Sequence, residues 1–200
     1  MGKALNPSPI ISIIDDVEKC EKEAVDALLA LPDKRSCKVV INSGGGSVYA
    51  ALAIATVIKL KQLMAEALVL ADCSSAAITV FAACPIRKVS PYASFLFHPV
   101  KWSSEDQSRL TGAKSWAIEF ERVNQIYEDF LIAHMSVKRS IIRGWIKEER
   151  YVTAQEIIDL GIAEPIEFPE DGVIDISKHR RAHKTAAQRH SKPAKIRKVG

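Results

Sequence analysis

No two of the four cysteines stand at a paired metal-ligand spacing, and Cys20, Cys37, Cys73 and Cys84 are too few for the dense disulfide framework of a small secreted domain. They read as reduced thiols in a cytoplasmic protein, with no metal implied. The opening residues, MGKALNPSPI, hold no apolar core of signal-peptide length, so nothing in them directs export. Long apolar runs are also scarce. The richest window, Ala67 to Cys84, is interrupted by Asp72, Ser74, Ser75 and Thr79, and reads as buried core rather than a membrane span. Acid is missing from Ser177 to Gly200, where nine Lys or Arg residues fall, so the body is acidic and the tail basic although the formal charge is +4.

With 48% apolar residues in 200, the chain suffices for one domain with a sizeable core. The expected organisation is a short extension over 1–9, a folded domain over 10–176 and a tail over 177–200. The tail has almost no large apolar side chains to offset its ordering entropy and is expected to be disordered. It reads either as a contact for nucleic acid or another acidic surface, or as a solubilising extension.

Strand and helix patterns alternate along the body. Ile10 to Ile14 reads as a strand, and Val17 to Leu31 has apolar residues at helical spacing until Pro32 stops it. Cys37 to Ile41 is a β-branched strand, followed by a turn over Asn42 to Gly46 and a helix from Ser47 to Met64. The theme repeats with a strand at Ala67 to Ala71, a turn at Asp72 to Ser74, and a helix from Ser75 to Ala83 that is apolar on nearly every side and therefore interior. Short strands follow at Ile86 to Val89 and Ala93 to Phe97. A helix from about Glu105 to His134 carries the stripe Ala113, Trp116, Ala117, Phe120, Val123, Tyr127, Phe130 and His134, and would reach about 45 Å. Such a projection commonly packs on another subunit. A helix from Ala154 to Asp159 and a strand from Ile162 to Phe168 close an α/β layered domain with mostly parallel strands.

Three features could carry chemistry. Ser75 follows a strand and opens the interior helix, where unpaired N–H groups would stabilise an oxyanion; capping the helix is the competing role. The loop SGGGSV, Ser43 to Val48, lets backbone N–H groups approach a ligand because no Cβ intervenes. It lacks the P-loop lysine and the GxGxxG spacing, so it does not read as a nucleotide site. Of five histidines, three lie in the tail and His134 falls on the apolar stripe, leaving His98 at a strand end as the candidate base that a serine hydroxyl needs.

The segments INSGGGSVYAALAIATVIK, ADCSSAAITVFAA, SFLFHPV and EERYVTAQEIIDLGIAEPI together resemble, in order, the signature blocks of the Clp protease proteolytic subunit and its phage and signal-peptide-peptidase-A-like relatives. They span Ile41 to Ile166. The resemblance implies the fold shared by Clp proteases and crotonases, with repeated ββα units and a long projecting handle helix. It implies Ser75 as nucleophile, His98 as base, Glu149 as the orienting acid, and the amides of Gly46 and Ala76 as oxyanion donors, with Gly45, Ser47 and Val48 along the substrate. It implies no cofactor, a polypeptide substrate, and a homo-oligomeric ring, single or stacked in pairs.

The chain departs from the family pattern in several places. The acid is commonly Asp; Gly44 stands where the family has proline; Ser74 precedes the nucleophile and Pro99 follows His98. Glu148 neighbours the acid, and Asp72 lies on the nucleophile's side rather than behind the histidine. Only about nine residues precede the first strand, so axial loops for an ATPase unfoldase are not expected and dependence on such a partner is left open. Three alternatives stay open: a crotonase-like acyl-CoA enzyme, a catalytically inactive subunit of the same fold, and a Ser-Lys dyad using Lys114 or Lys138.

Overall fold

A computed structural model describes residues 8–101 and 110–168, and only the backbone of Leu110 and Thr111. The first turns expected for the long helix, from Glu105, and the basic tail over 177–200 lie outside the described residues. The chain through Ile166 forms one unit.

The order is β1 (Ile10–Asp16), α1 (Val17–Ala30), β2 (Ser36–Gly45), α2 (Val48–Leu60), β3 (Met64–Cys73), α3 (Ala77–Ala83), β4 (Ile86–Val89), β5 (Ser94–Leu96), α4 (Leu110–His134), α5 (Arg139–Lys147), β6 (Tyr151–Thr153), α6 (Ala154–Asp159) and β7 (Glu164–Pro165). Strands β1, β2, β3, β4 and β7 form a parallel sheet in that spatial order. Strand β5 pairs with the end of β3 at Asp72↔Ser94 and antiparallel with β6, extending the sheet sideways. The fold class is the expected mixed α/β with a mainly parallel sheet.

Helix starts follow local chemistry. The Asp16 carboxylate accepts from Glu18 N–H at 2.8 Å and opens α1, and Ser47 Oγ accepts from Ala50 N–H at 3.3 Å to open α2. Thr153 and Glu156 satisfy each other in a capping box at α6. All seven residues of α3 are buried, as expected for a helix without a polar face. Phe81 from α3 meets Phe95 with ring centroids 5.2 Å apart, while Phe97 meets Trp145 of α5 at 4.9 Å. These contacts tie β5 and the residue after it to α3 and α5.

Several boundaries differ from the sequence reading. Strand β3 runs from Met64 to Cys73 instead of Ala67 to Ala71, taking in two residues of the expected turn at Asp72 to Ser74. The predicted turn Asn42 to Gly46 is still strand through Gly45, because pairing with β1 (Asp16↔Gly45) and β3 (Ser43↔Cys73) gives its backbone partners on both sides. Helix α2 ends at Leu60, four residues short of Met64, which begins β3. Helix α3 starts at Ala77 rather than Ser75, leaving Ser75 in the preceding turn. The closing strand is only Glu164–Pro165 instead of Ile162 to Phe168. Helix α5 and strand β6 were not anticipated; α5 buries Ile142, Trp145 and Ile146 on one face.

Candidate active site

The pairing irregularities of β1 and β2 fall between Ile14 and Asp16 and between Ile41 and Ser43, near the carboxyl ends of the strands, and these ends surround the site. In open parallel sheets this is where ligands bind. At the end of β3, Ser74 N–H donates to Ser43 carbonyl at 3.0 Å, and the chain then turns at Ser75 with φ +53°. That left-handed conformation is uncommon for a residue with a side chain. Ser75 N–H donates to Leu96 carbonyl at 2.9 Å, while Leu96 N–H donates to Ser74 Oγ at 3.3 Å. Ser74 Oγ itself donates to the Asp72 carboxylate at 2.5 Å, and Asp72 N–H donates to the Asn42 side chain at 3.1 Å. Asp72 is thus committed to the turn that shapes Ser75.

The glycine loop lies directly against this turn. A Cβ on Gly45, whose φ is +111°, would stand 2.6 Å from Ser75 Cβ; one on Gly46, at φ +129°, would stand 2.5 Å from the Asp16 carboxylate. Glycine is required at both positions by close approach and by backbone angle. The N–H groups of Gly46 and Ala76 donate to no acceptor among the described residues. Gly45 packs on the Ser75 turn, Ser47 caps α2, and Val48 lines the cavity described next.

Ser75, His98 and Gly46 line one cavity of about 160 Å³, closed by Val48, Val100, Lys101 and Tyr127. It adjoins a second cavity of about 260 Å³ that shares Gly46, Val48, Val100 and Lys101 and is walled by Trp116, Phe120 and Val123 of α4. Larger hollows beside Trp145 and beside Arg87 bring no serine and histidine together. Tyr127 is buried under the turn, and its hydroxyl donates to Ser75 carbonyl at 3.4 Å. Burial pushes its phenol well above the ordinary tyrosine range, so it stays a neutral donor.

His98 follows β5. Phe97 N–H donates to Arg150 carbonyl at 2.9 Å, and Val100 N–H to the Asn124 side chain of α4 at 3.0 Å, which fixes the segment on both sides of the ring. Its Nδ1 lies 2.5 Å from Pro99 carbonyl oxygen. A carbonyl only accepts, so this contact places the proton on Nδ1 and leaves Nε2 with a lone pair, the tautomer a general base needs. Ser75 Oγ makes no hydrogen bond to the ring among the described residues.

The antiparallel register Leu96↔Tyr151, continued by the Phe97 to Arg150 bond, brings Glu149 to the histidine's side of the site. Its carboxylate is held by Lys101 Nζ at 2.7 Å, with both side chains more than half exposed. The hydrogen bond and charge of Lys101 hold the Glu149 carboxyl below its ordinary range against slight desolvation, with a smaller contribution from His98. Arg150 is engaged by Glu156 and does not compete for Glu149.

His134 stacks on Phe130 with ring centroids 4.2 Å apart and lies outside the site. Lys114 on α4 and Lys138 before α5 line neither cavity. The lysine that lines the cavity with Ser75 is Lys101, which the sequence marks only by its place three residues after His98; Tyr127 reads there as helix stripe, and Asn124 carries no signal. Among the described residues no group of three His, Cys, Asp or Glu side chains is arranged to hold a metal, and no helix is long and apolar enough to cross a membrane.

The family model described as Clp protease matches residues 2–170. The chain is 27% identical over 141 residues to "ATP-dependent Clp protease proteolytic subunit 2" of Mycobacterium tuberculosis, a match covering 70% of this chain and 66% of that protein. It is 26% identical over 141 residues to the protein of the same description in Mycobacterium leprae, covering 70% of this chain and 66% of that one. It is also 26% identical over 141 residues to "ATP-dependent Clp protease proteolytic subunit 1" of Mycolicibacterium paratuberculosis, covering 70% and 67%. The chain thus spans about two thirds of the length of the relatives it matches.

Proposed function

The chain belongs to the Clp protease family, and on that premise we propose that it is a serine endopeptidase working through an acyl-enzyme on Ser75. The observation that carries this reading is the shared cavity in which Ser75, His98 and Gly46 meet. Ser75 Oγ attacks the peptide carbonyl carbon as His98 Nε2 takes its proton. The carbonyl oxygen becomes an oxyanion received by the N–H groups of Gly46 and Ala76. Collapse breaks the C–N bond, and His98 returns the proton to the leaving amine. Water, deprotonated by the same imidazole, then attacks the ester and releases the acid with Ser75 restored. Glu149 is the carboxylate that stabilises the imidazolium formed in each half.

The neighbouring cavity walled by Trp116, Phe120 and Val123 is where an apolar side chain of the substrate would lie. The substrate is an unfolded chain or short peptide, admitted to a homo-oligomeric ring built through α4, in the cytoplasm and without a cofactor. The tail over 177–200 is proposed as a contact for an acidic surface.

A fluorophosphonate probe followed by peptide mapping tests the reading. Labelling at Ser75 that disappears in His98→Ala supports it; labelling that survives that change but is lost with Lys101→Met supports a lysine base. No labelling, with measurable binding of a CoA thioester, supports a crotonase-like acyl-CoA enzyme.

A further inference from the structure

The Glu149 carboxylate feels the charge of two basic side chains, Lys101 and His98, and in the structure it is paired with Lys101. Its carboxylate carries Lys101 at 2.7 Å, while His98 Nδ1 rests on Pro99 carbonyl at 2.5 Å. A neutral carbonyl orients the ring but offers little to an imidazolium. A carboxylate on the same nitrogen stabilises that cation as it forms, because opposite charges at hydrogen-bond distance favour the charged state. Moving Glu149 from Lys101 to His98 therefore changes the energy of the transition state while leaving the ring's tautomer alone.

The exchange is a local one. The β5 and β6 pairing ends at Leu96↔Tyr151, two residues from His98 and from Glu149, so the exchange asks the Glu149 side chain to leave Lys101 and His98 Nδ1 to leave the Pro99 carbonyl. The pair it leaves is exposed, and exposed pairs are held by little free energy.

We infer that Lys101 is a positioning residue that withholds Glu149 from His98, so that the site is at rest while the Lys101–Glu149 pair is closed and gains rate when it opens. The inference rests on the proposed roles of Ser75 and His98. Lys101 also lines both cavities. A substrate carrying a carboxylate beside the apolar cavity would draw its ammonium away and release the acid.

The test is the second-order rate of Ser75 labelling by an uncharged fluorophosphonate on the full chain. Lys101→Met is expected to raise the rate about two- to fivefold, the range an exposed ion pair can hold back. Lys101→Arg keeps the pair and shows no such gain. In a Glu149→Gln background, Lys101→Met has nothing to release and the gain vanishes. Raising salt from about 50 to about 500 mM screens the pair and speeds the parent, but not Lys101→Met. Two results overturn the inference while leaving the peptidase reading intact, provided parent labelling depends on His98. One is a Lys101→Met rate equal to or below the parent's; the other is a gain from Lys101→Met that persists when Glu149→Gln is also present. If Ser75 is not labelled in the parent or in Lys101→Met, the peptidase reading fails and takes this inference with it.

Discussion

Ser75 and Leu96 are joined through their backbones: Ser75 N–H donates to Leu96 carbonyl at 2.9 Å, and the Leu96 N–H returns to Ser74 Oγ at 3.3 Å. The turn that presents the serine is thereby stitched to the strand that leads to His98, two residues on. Ser74→Ala removes the acceptor for Leu96 N–H and the donor to Asp72 together. Loss of a part-buried hydrogen bond with its partner left behind costs about 1–3 kcal/mol. Urea denaturation should show that loss, and Ser75 labelling should slow by more than the fraction unfolded explains. Unchanged stability and labelling would make the stitch irrelevant.

Gly45 and Gly44 differ in what a methyl would meet. At Gly45 it would stand 2.6 Å from Ser75 Cβ on a backbone with φ +111°, whereas at Gly44 the nearest atom is Asp72 Oδ2 at 3.6 Å. Gly45→Ala is expected to cost about 1–3 kcal/mol of stability from backbone strain alone and to slow labelling. Gly44→Ala should stay within about 0.5 kcal/mol of the parent. Equal midpoints for the two variants would refute the close-approach argument.

Cysteine reactivity separates the thiols by environment. Burial pushes Cys84 up to about 12 and Cys73 well above the ordinary thiol range, and it raises Cys37 as well. A thiol whose titration lies so high is unreactive at neutral pH, since the thiolate is the nucleophile. Iodoacetamide at about pH 8, close to the ordinary thiol range, should therefore modify the partly exposed Cys20 first, with the other three appearing only in denaturant. Mass spectrometry of the native protein showing all four alkylated at one rate would contradict the buried core.

Helix α4 buries Val123, Tyr127 and Leu131 but leaves Trp116 and Ile118 exposed at 53% and 69%. If α4 builds a ring, Ile118→Asp should lower the sedimenting mass at micromolar concentration while leaving the far-ultraviolet circular dichroism of the parent. A parent that sediments as a single chain would remove the ring proposal.

Much of this architecture was legible because period and burial coincide. The apolar spacing of α1 and the nearly all-apolar α3, with Thr79 its one polar residue, each read as helix, and the β-branched CKVVI run reads as strand. The glycine loop misled, since its residues read as a turn although Ser43 to Gly45 keep pairing with both neighbours. Nothing local reveals such pairing. Helix α5 is nine residues with a central Gly144, too short and too interrupted for its stripe of Ile142, Trp145 and Ile146 to stand out. At the site, Ser75, His98 and Gly46 stand out in the sequence and share a cavity. Lys101 carries no such signal and Tyr127 reads only as part of the α4 stripe, because their distance from Ser75 along the chain is closed only by the fold.

The conformation of Ser75 leads to a last expectation. At φ +53° any residue with a Cβ pays about 1–2 kcal/mol relative to glycine. Glycine recovers that strain but loses about 0.5–1 kcal/mol to the greater freedom of its unfolded chain. Ser75→Gly should therefore be more stable than Ser75→Ala by about 0.5–1 kcal/mol, both variants lacking the hydroxyl. Parallel urea titrations with equal slopes decide the comparison. A more stable alanine variant would mean that the turn is unstrained, and that the serine's exposure to the cavity is set by Tyr127 and Leu96 holding its backbone rather than by a conformation kept for its chemistry.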